Sequence, residues 1–287
     1  MEKEVVEFIR SVYSGEIVEN SRGLIPPYEL DIYMPEKNLA IEFCGLYWHS
    51  TANAAGYKKN LHRDKALLCQ EKGIKLFLFF EDEWIGKREL VQQMIKYRLG
   101  LIKNKVHARK CEINEFKNKD LKEFFQNNHI DGHTNCTRGY GLVYDGKIMA
   151  AMSIRTNFKG ETEIARFATD RDTIVAGAGS RLISLLPRPI ISFSNNRLSD
   201  GKIYRDNGFE EITQTTQPSY FYTDLKSRVW RFKCKRLNPP KITQEEFDQF
   251  PTETSQATNG IFSRKIFGDL RPLYRIEDAS HKKWRLQ

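Results

Sequence analysis

The segment ELDIYMPEKNLAIEFCGLYWHS, residues 29 to 50, sets Asp31 and Glu42 into two short apolar runs and follows the second with Cys44, Tyr47, Trp48 and His49. A charge on the core-facing side of a strand costs several kcal/mol unless something compensates it. YELDIYM alternates with period two, PEK makes a turn and LAIEF runs back, so the stretch predicts a β-hairpin. Glu29 and Asp31 then share one face of the first strand, Glu42 and Cys44 share one face of the second, and pairing brings Asp31 to Glu42. Two carboxylates that close repel unless a proton or a cation lies between them. Hard oxygen ligands suit Mg2+, with Mn2+ able to substitute. A water on such an ion could attack a phosphodiester while the ion neutralises the developing charge. The plainer alternative is that these acids pair with Lys and Arg on an exposed sheet face.

The surrounding elements must hold those groups. Val5, Phe8, Ile9 and Val12 recur at helical spacing, and KKNLHRDKALLCQEK predicts a helix stopped by Gly73. IKLFLFF reads as a strand buried on both faces, followed by EDEW and a further helix to about Arg98. The acids of EDEW, Glu81 to Glu83, fit a helix start, with Trp84 packing beneath. The chain has 287 residues, 40% of them hydrophobic, and no long apolar run, which leaves room for two domains and excludes a membrane-spanning helix. MEKEVVEF does not resemble a secretory signal. Five scattered cysteines without a CxxC pair argue against a zinc cluster or a disulfide framework, and for a reducing cytoplasm. The net charge of +9 favours a polyanionic partner.

ELDIYMPEKNLAIEFCGLYWHS, continued by YKKNLHRDKALLCQEKGIKLFLFFEDEW, resembles the nuclease domain of phage homing endonucleases with the EDxHD motif. These are relatives of the very-short-patch-repair (Vsr) endonuclease in the PD-(D/E)xK superfamily. The resemblance spans roughly Glu2 to Trp84. It implies Asp31 as primary metal ligand, Glu42 at the second acidic position, His49 as an active-site histidine, Glu29 as a supporting acid, and His62 and Asp64 completing the set, with Glu4 or Glu7 near the same metal. It also implies the cytoplasm of a bacterial host. The superfamily's catalytic Lys is replaced here by Cys44, so Lys65 or His49 would have to supply positive charge or proton transfer. Tyr47 and Trp48 read more simply as core residues.

From about Val106 the pattern changes. GYGLVYDGKIMAAMSIR predicts a hairpin with an Asp-Gly turn. GAGSRLISLL, IISFSN and GKIYRDNGF are similar to the arrangement in GNAT-type acyltransferases, where a glycine turn, here Gly177 to Gly179, would hold a pyrophosphate. Ile174 stands where that family has Gln or Arg. In KSRVWRFKCKR the cations Arg231, Lys233 and Lys235 alternate with apolar residues, predicting a strand with a phosphate-facing side. Lys282 and Lys283 lie in a basic stretch expected to be a tail. The fold expected is α/β: a PD-(D/E)xK-like, Vsr-like mixed-sheet nuclease domain (1–103), a GNAT-like recognition domain (104–238), and a linker with a basic tail (239–287). The function expected is a Mg2+-dependent phage homing endonuclease acting on double-stranded DNA. The alternatives are a GNAT-type acyltransferase with a degenerate nuclease domain, or a non-catalytic DNA-binding protein.

Overall fold

The computed structural model describes residues 1–214, 219–235 and 242–287. Its first unit opens with α1 (Glu2–Val12), which buries Val5, Val6 and Ile9. Next come β1 (Val18–Ile25), β2 (Tyr28–Met34), β3 (Leu39–Cys44), α2 (Leu61–Glu71), β4 (Lys75–Phe80), α3 (Glu81–Gly86) and α4 (Arg88–Leu99). The helix, hairpin, helix, strand, helix order predicted by the periodicities is present, with one strand they did not include: β1, which takes in most of the SRGLIPP passage and pairs with β2. The strands form one sheet in the order β1–β2–β3–β4, antiparallel as far as β3 and parallel between β3 and β4. β3 is buried at every position and β4 at all but Lys75, because both faces are covered. Ile41, Phe43, Phe77 and Phe79 face α1 and α4. The other parity, Ala40, Cys44, Leu78 and Phe80, faces Ala66 and Cys69 of α2.

The rest of the chain runs β5 (Asn104–His107), β6 (Glu112–Phe116), α5 (Lys122–Asn128), β7 (Arg138–Tyr144), β8 (Lys147–Thr156), β9 (Thr162–Thr169), β10 (Thr173–Ala176), α6 (Ala178–Ile183), β11 (Ile190–Asn195), α7 (Lys202–Arg205) and β12 (Glu210–Gln214). It continues with β13 (Tyr220–Thr223), β14 (Arg228–Trp230), α8 (Arg231–Lys235), α9 (Gln244–Gln249), α10 (Glu253–Thr258), α11 (Ile261–Phe267), β15 (Tyr274–Glu277) and β16 (His281–Leu286). A seven-stranded sheet is ordered β12–β16–β11–β9–β8–β7–β6. The β7–β8 hairpin turns at Asp145 and Gly146, both with positive φ, as an Asp-Gly turn requires. β13, β14 and β15 make a small separate sheet, and β5 pairs in parallel with β10. No helix among the described residues is long and apolar enough to cross a membrane.

Two expectations change here. The basic stretch read as a tail contains β16, which lies between β12 and β11 and buries Trp284 and Leu286. KSRVWRFKCKR is not one strand: β14 ends at Trp230 and α8 begins at Arg231, so its cations do not share a strand face.

Candidate functional site

α2 buries His62, Lys65, Ala66 and Cys69, the i, i+3, i+4, i+7 stripe of a helix face. That stripe packs over the side of β3 carrying Glu42 and Cys44, so two local periodicities bring a carboxylate, a thiol, an imidazole and an ammonium together. Asp31 and Glu42 end the β2–β3 ladder. The Asp31 N–H donates to Glu42 Oε1 (3.1 Å) and the Phe43 N–H to Asp31 Oδ2 (2.9 Å), so each carboxylate takes a ladder donor of the facing strands.

What lies between the acids is Lys65. Its Nζ is 2.5 Å from Glu42 Oε2 and 4.0 Å from Asp31 Oδ1. Burial lifts the Glu42 carboxyl to about 8, with Asp31 adding to the rise, and burial lifts Asp31 to about 6; the ammonium opposes both shifts. Burial alone would lower Lys65, but the two carboxylates outweigh it and hold the ammonium charged. The charge compensation demanded by the sequence therefore comes from within the chain.

Beside this triad, Cys44 Sγ lies 3.4 Å from His62 Nε2, which lies 2.9 Å from His49 Nδ1. His62 Nδ1 is 2.8 Å from the Glu277 carbonyl, which can only accept, so Nδ1 carries the proton and Nε2 presents a lone pair. Burial pushes His62 well down, lowers His49 to about 4 with Lys65 adding to the effect, and pushes the Cys44 thiol up. The cluster opens on a cavity of about 240 Å3 lined by Trp48, Tyr57, Lys58 and Glu277 as well as the two histidines. Trp48 is 67% exposed and Tyr47 45%, so neither belongs to the core expected of them.

Other predicted residues lie apart. Glu29 pairs with Arg22 on the surface, Asp64 binds Arg63 and Tyr28, and Glu4 binds Trp84 and Arg88. The EDEW acids act structurally, as expected: Glu83 caps the Phe80 N–H, and Asp82 pairs with Arg228. Arg197, 1% exposed, reaches Glu83, Asp131, Asp278 and the Leu78 carbonyl, tying the end of β11 to the first unit. Neither Arg197 nor Glu277 was singled out from sequence, since both act across long separations.

Among the cations expected to meet DNA, Arg231 is held by Glu253, Lys282 is buried beside Glu211, and Lys283 lies by Glu161. These three are thus committed within the fold. Lys233 is exposed, and the side chain of Lys235 lies outside the described residues. The glycine turn also has structural reasons: Gly177 sits at φ +80°, and a Cβ on Gly179 would fall 2.5 Å from Ile203 Cδ1. Parallel β9 and β11 share one ladder pair, Ile191 with Glu163. The chain from His129 to Gly132 links the two strands, with Arg166 of β9 donating to the Gly132 carbonyl and Arg197 reaching Asp131.

No family model matches the chain, and no curated protein matches it. Among solved structures, it is similar to an acetyltransferase from Bacillus anthracis str. Ames, assigned to streptothricin, in complex with acetyl coenzyme A (TM-score 0.26, 14% identity). That match covers 52% of this chain and 62% of the other, less than two thirds of its length. A GNAT-family acetyltransferase from Bacillus cereus ATCC 10987 matches with TM-score 0.27 and 18% identity, over 37% of this chain and 87% of the other. The chain is a mixed α/β protein with GNAT acetyltransferases among its structural neighbours. The expectation of a Mg2+-dependent DNA endonuclease, a homing nuclease among hydrolases, is corrected: the structures matched are acetyltransferases. The expected cofactor, Mg2+ or Mn2+, is corrected likewise: one neighbour holds acetyl coenzyme A, and in this chain Lys65 occupies the position between the acids.

Proposed function

We propose that the chain binds double-stranded DNA by its phosphate backbone. The observation that supports this reading is a run of exposed cations, Lys103, Lys105, Arg109 and Lys110, none of them ion-paired among the described residues. β5 pairs with β10 so that Val106 meets the largely buried Val175, which leaves Lys105 and His107 on the opposite parity, with the exposed Lys103 just before the strand. Alternate residues of a strand are about 7 Å apart, close to twice the 3.4 Å axial rise per phosphate of one DNA strand. Uncompensated cations at that spacing gain by releasing the counterions condensed on a duplex. The net charge of +9 adds long-range attraction.

Fluorescence anisotropy of a labelled duplex against salt concentration tests this. Replacing all four cations by Ala should weaken binding at low salt and flatten the log–log salt slope by about 3 to 4, roughly 0.9 per lost contact. An unchanged slope removes this surface from duplex binding.

A second reading, acyl transfer, is favoured by one observation: parallel β9 and β11 are joined by a single ladder pair. Calorimetric titration of the same preparation with acetyl coenzyme A tests it. Stoichiometric heat lost on Gly177→Val would support it, and absence of heat would reject it.

A further inference from the structure

His62 Nε2 faces two donors at once when all three neighbours are neutral: the His49 Nδ1–H at 2.9 Å and the Cys44 thiol at 3.4 Å compete for one lone pair. A cation set among the three atoms removes that conflict, because each then directs a lone pair at the ion. We propose that Cys44 Sγ, His49 Nδ1 and His62 Nε2 form a three-ligand site for a thiophilic divalent transition metal, Zn2+ by preference, with a fourth position open to the adjacent cavity.

The three atoms lie within 4.8 Å of one another. Ligand bonds of about 2.0–2.3 Å at tetrahedral angles give edges of about 3.3–3.6 Å. The Cys44–His62 edge already falls in that range, and the His49–His62 edge needs a few tenths of an ångström of opening. His49 can supply that opening, since it sits in the turn after β3 and is half-buried, whereas Cys44 and His62 are fixed in the core. Orientation is already in place. The Nδ1–H of His62 is held by the Glu277 carbonyl, the outer contact that metal-ligating imidazoles use to fix tautomer and ring plane. One thiolate with two imidazoles selects Zn2+, Co2+ or copper over Mg2+, Mn2+ and Ca2+. The set is also distinct from the Asp31–Glu42–Lys65 triad, where an ammonium already sits between the two acids. Binding exchanges the thiol proton for the metal: one M2+ enters, the S–H bond breaks, the sulfur pair becomes the metal–sulfur bond, and one proton leaves to solvent, while the His49 Nδ1 proton is given up and one is taken at Nε2, a tautomer change with no net proton release of its own. Three protein ligands leave a coordination position for water or an anion. His49, His62 and Lys58 all line the cavity, together with Glu277, whose carboxylate is paired with Arg275, so water, hydroxide or a small anion suits the open position.

The test uses the full chain, stripped with a chelator and titrated separately with Zn2+ and with Co2+. The expected result is one ion per chain. Cobalt should give a thiolate-to-metal charge-transfer band in the near ultraviolet and the intense visible bands of four-coordination. Cys44→Ser should abolish the charge-transfer band, and His49→Ala, a turn position whose loss leaves the core intact, should weaken Zn2+ binding by at least 100-fold. Binding weaker than millimolar, six-coordinate cobalt spectra, or wild-type affinity in His49→Ala would overturn the proposal. Should Cys44→Ser fail to fold, the His49→Ala affinity and the wild-type cobalt spectrum decide alone.

Discussion

Replacing Lys65 by Met keeps most of the stem's volume and removes only the charge that separates Asp31 from Glu42. At an effective dielectric near 20, the ammonium's attraction is about 7 kcal/mol to Glu42 at 2.5 Å and about 4 kcal/mol to Asp31 at 4.0 Å. Taking each ion out of water offsets much of this, and Glu42, lifted to about 8 even beside the ammonium, takes up a proton once it is gone, so the expected net loss is about 2–3 kcal/mol, below the cost of a buried charge left ionised. Glu42 is the group stranded most severely, since its side chain is 1% exposed against 19% for Asp31. The double variant Lys65→Met with Glu42→Gln should therefore recover at least about 2 kcal/mol, a coupling measurable by a double-mutant cycle. Urea unfolding followed by circular dichroism, with the m-value unchanged, provides the readout. A loss below about 1 kcal/mol for Lys65→Met, or strict additivity in the cycle, would refute the view that this ammonium compensates the acids.

Gly201→Ala should cost about 3 kcal/mol: the residue sits at φ +85°, and the new Cβ would lie 2.1 Å from Cζ2 of the buried Trp284, so left-handed strain adds to overpacking. A thermal midpoint within a degree or two of wild type would contradict it. Glu253 is held down to about 2, first by its hydrogen bonds from Arg231 and then by those from Tyr220 and Tyr222. A depressed carboxyl contributes stability that is present above its unfolded value near 4.5 and is lost as pH falls through about 2. Glu253→Gln should thus lower stability at neutral pH and flatten the acid limb of the unfolding curve; parallel limbs for the two proteins would count against this.

The hairpin and the parity of β3 were legible, because each is a repeat within a dozen residues; the α2 helix was legible too, but its apolar repeat Leu61, Leu67 and Leu68 is only half-buried, and the inward face carries His62, Lys65, Ala66 and Cys69 instead. His49, His62 and Lys65 are marked by the family resemblance, and Cys44 as the departure from it, and the structure brings all four together. Asp64 and Glu29 share the same segments but point to their own surface partners, Arg63 and Arg22. Local pattern does not say which of two acids two residues apart, Glu29 and Asp31, meets the buried lysine. The role of Glu277 was illegible for a different reason: its carbonyl holds a histidine 215 positions away, and a backbone oxygen leaves no compositional trace. The same applies to β16, whose alternation of Lys and Arg with Trp and Leu reads equally well as a cationic tail. Pairing on both edges decides otherwise.

The placement of β15 and β16 bears on how a nascent chain matures. β11 and β12 have no direct ladder with each other, and the strand that joins them is synthesised some seventy residues after Gln214. Glu277 likewise reaches the ribosome exit long after α2 has formed. Until then the larger sheet has an open seam, and the imidazole of His62 lacks the carbonyl that sets its tautomer. Chains stalled or clipped before this point would expose unpaired strand edges to chaperones and proteases.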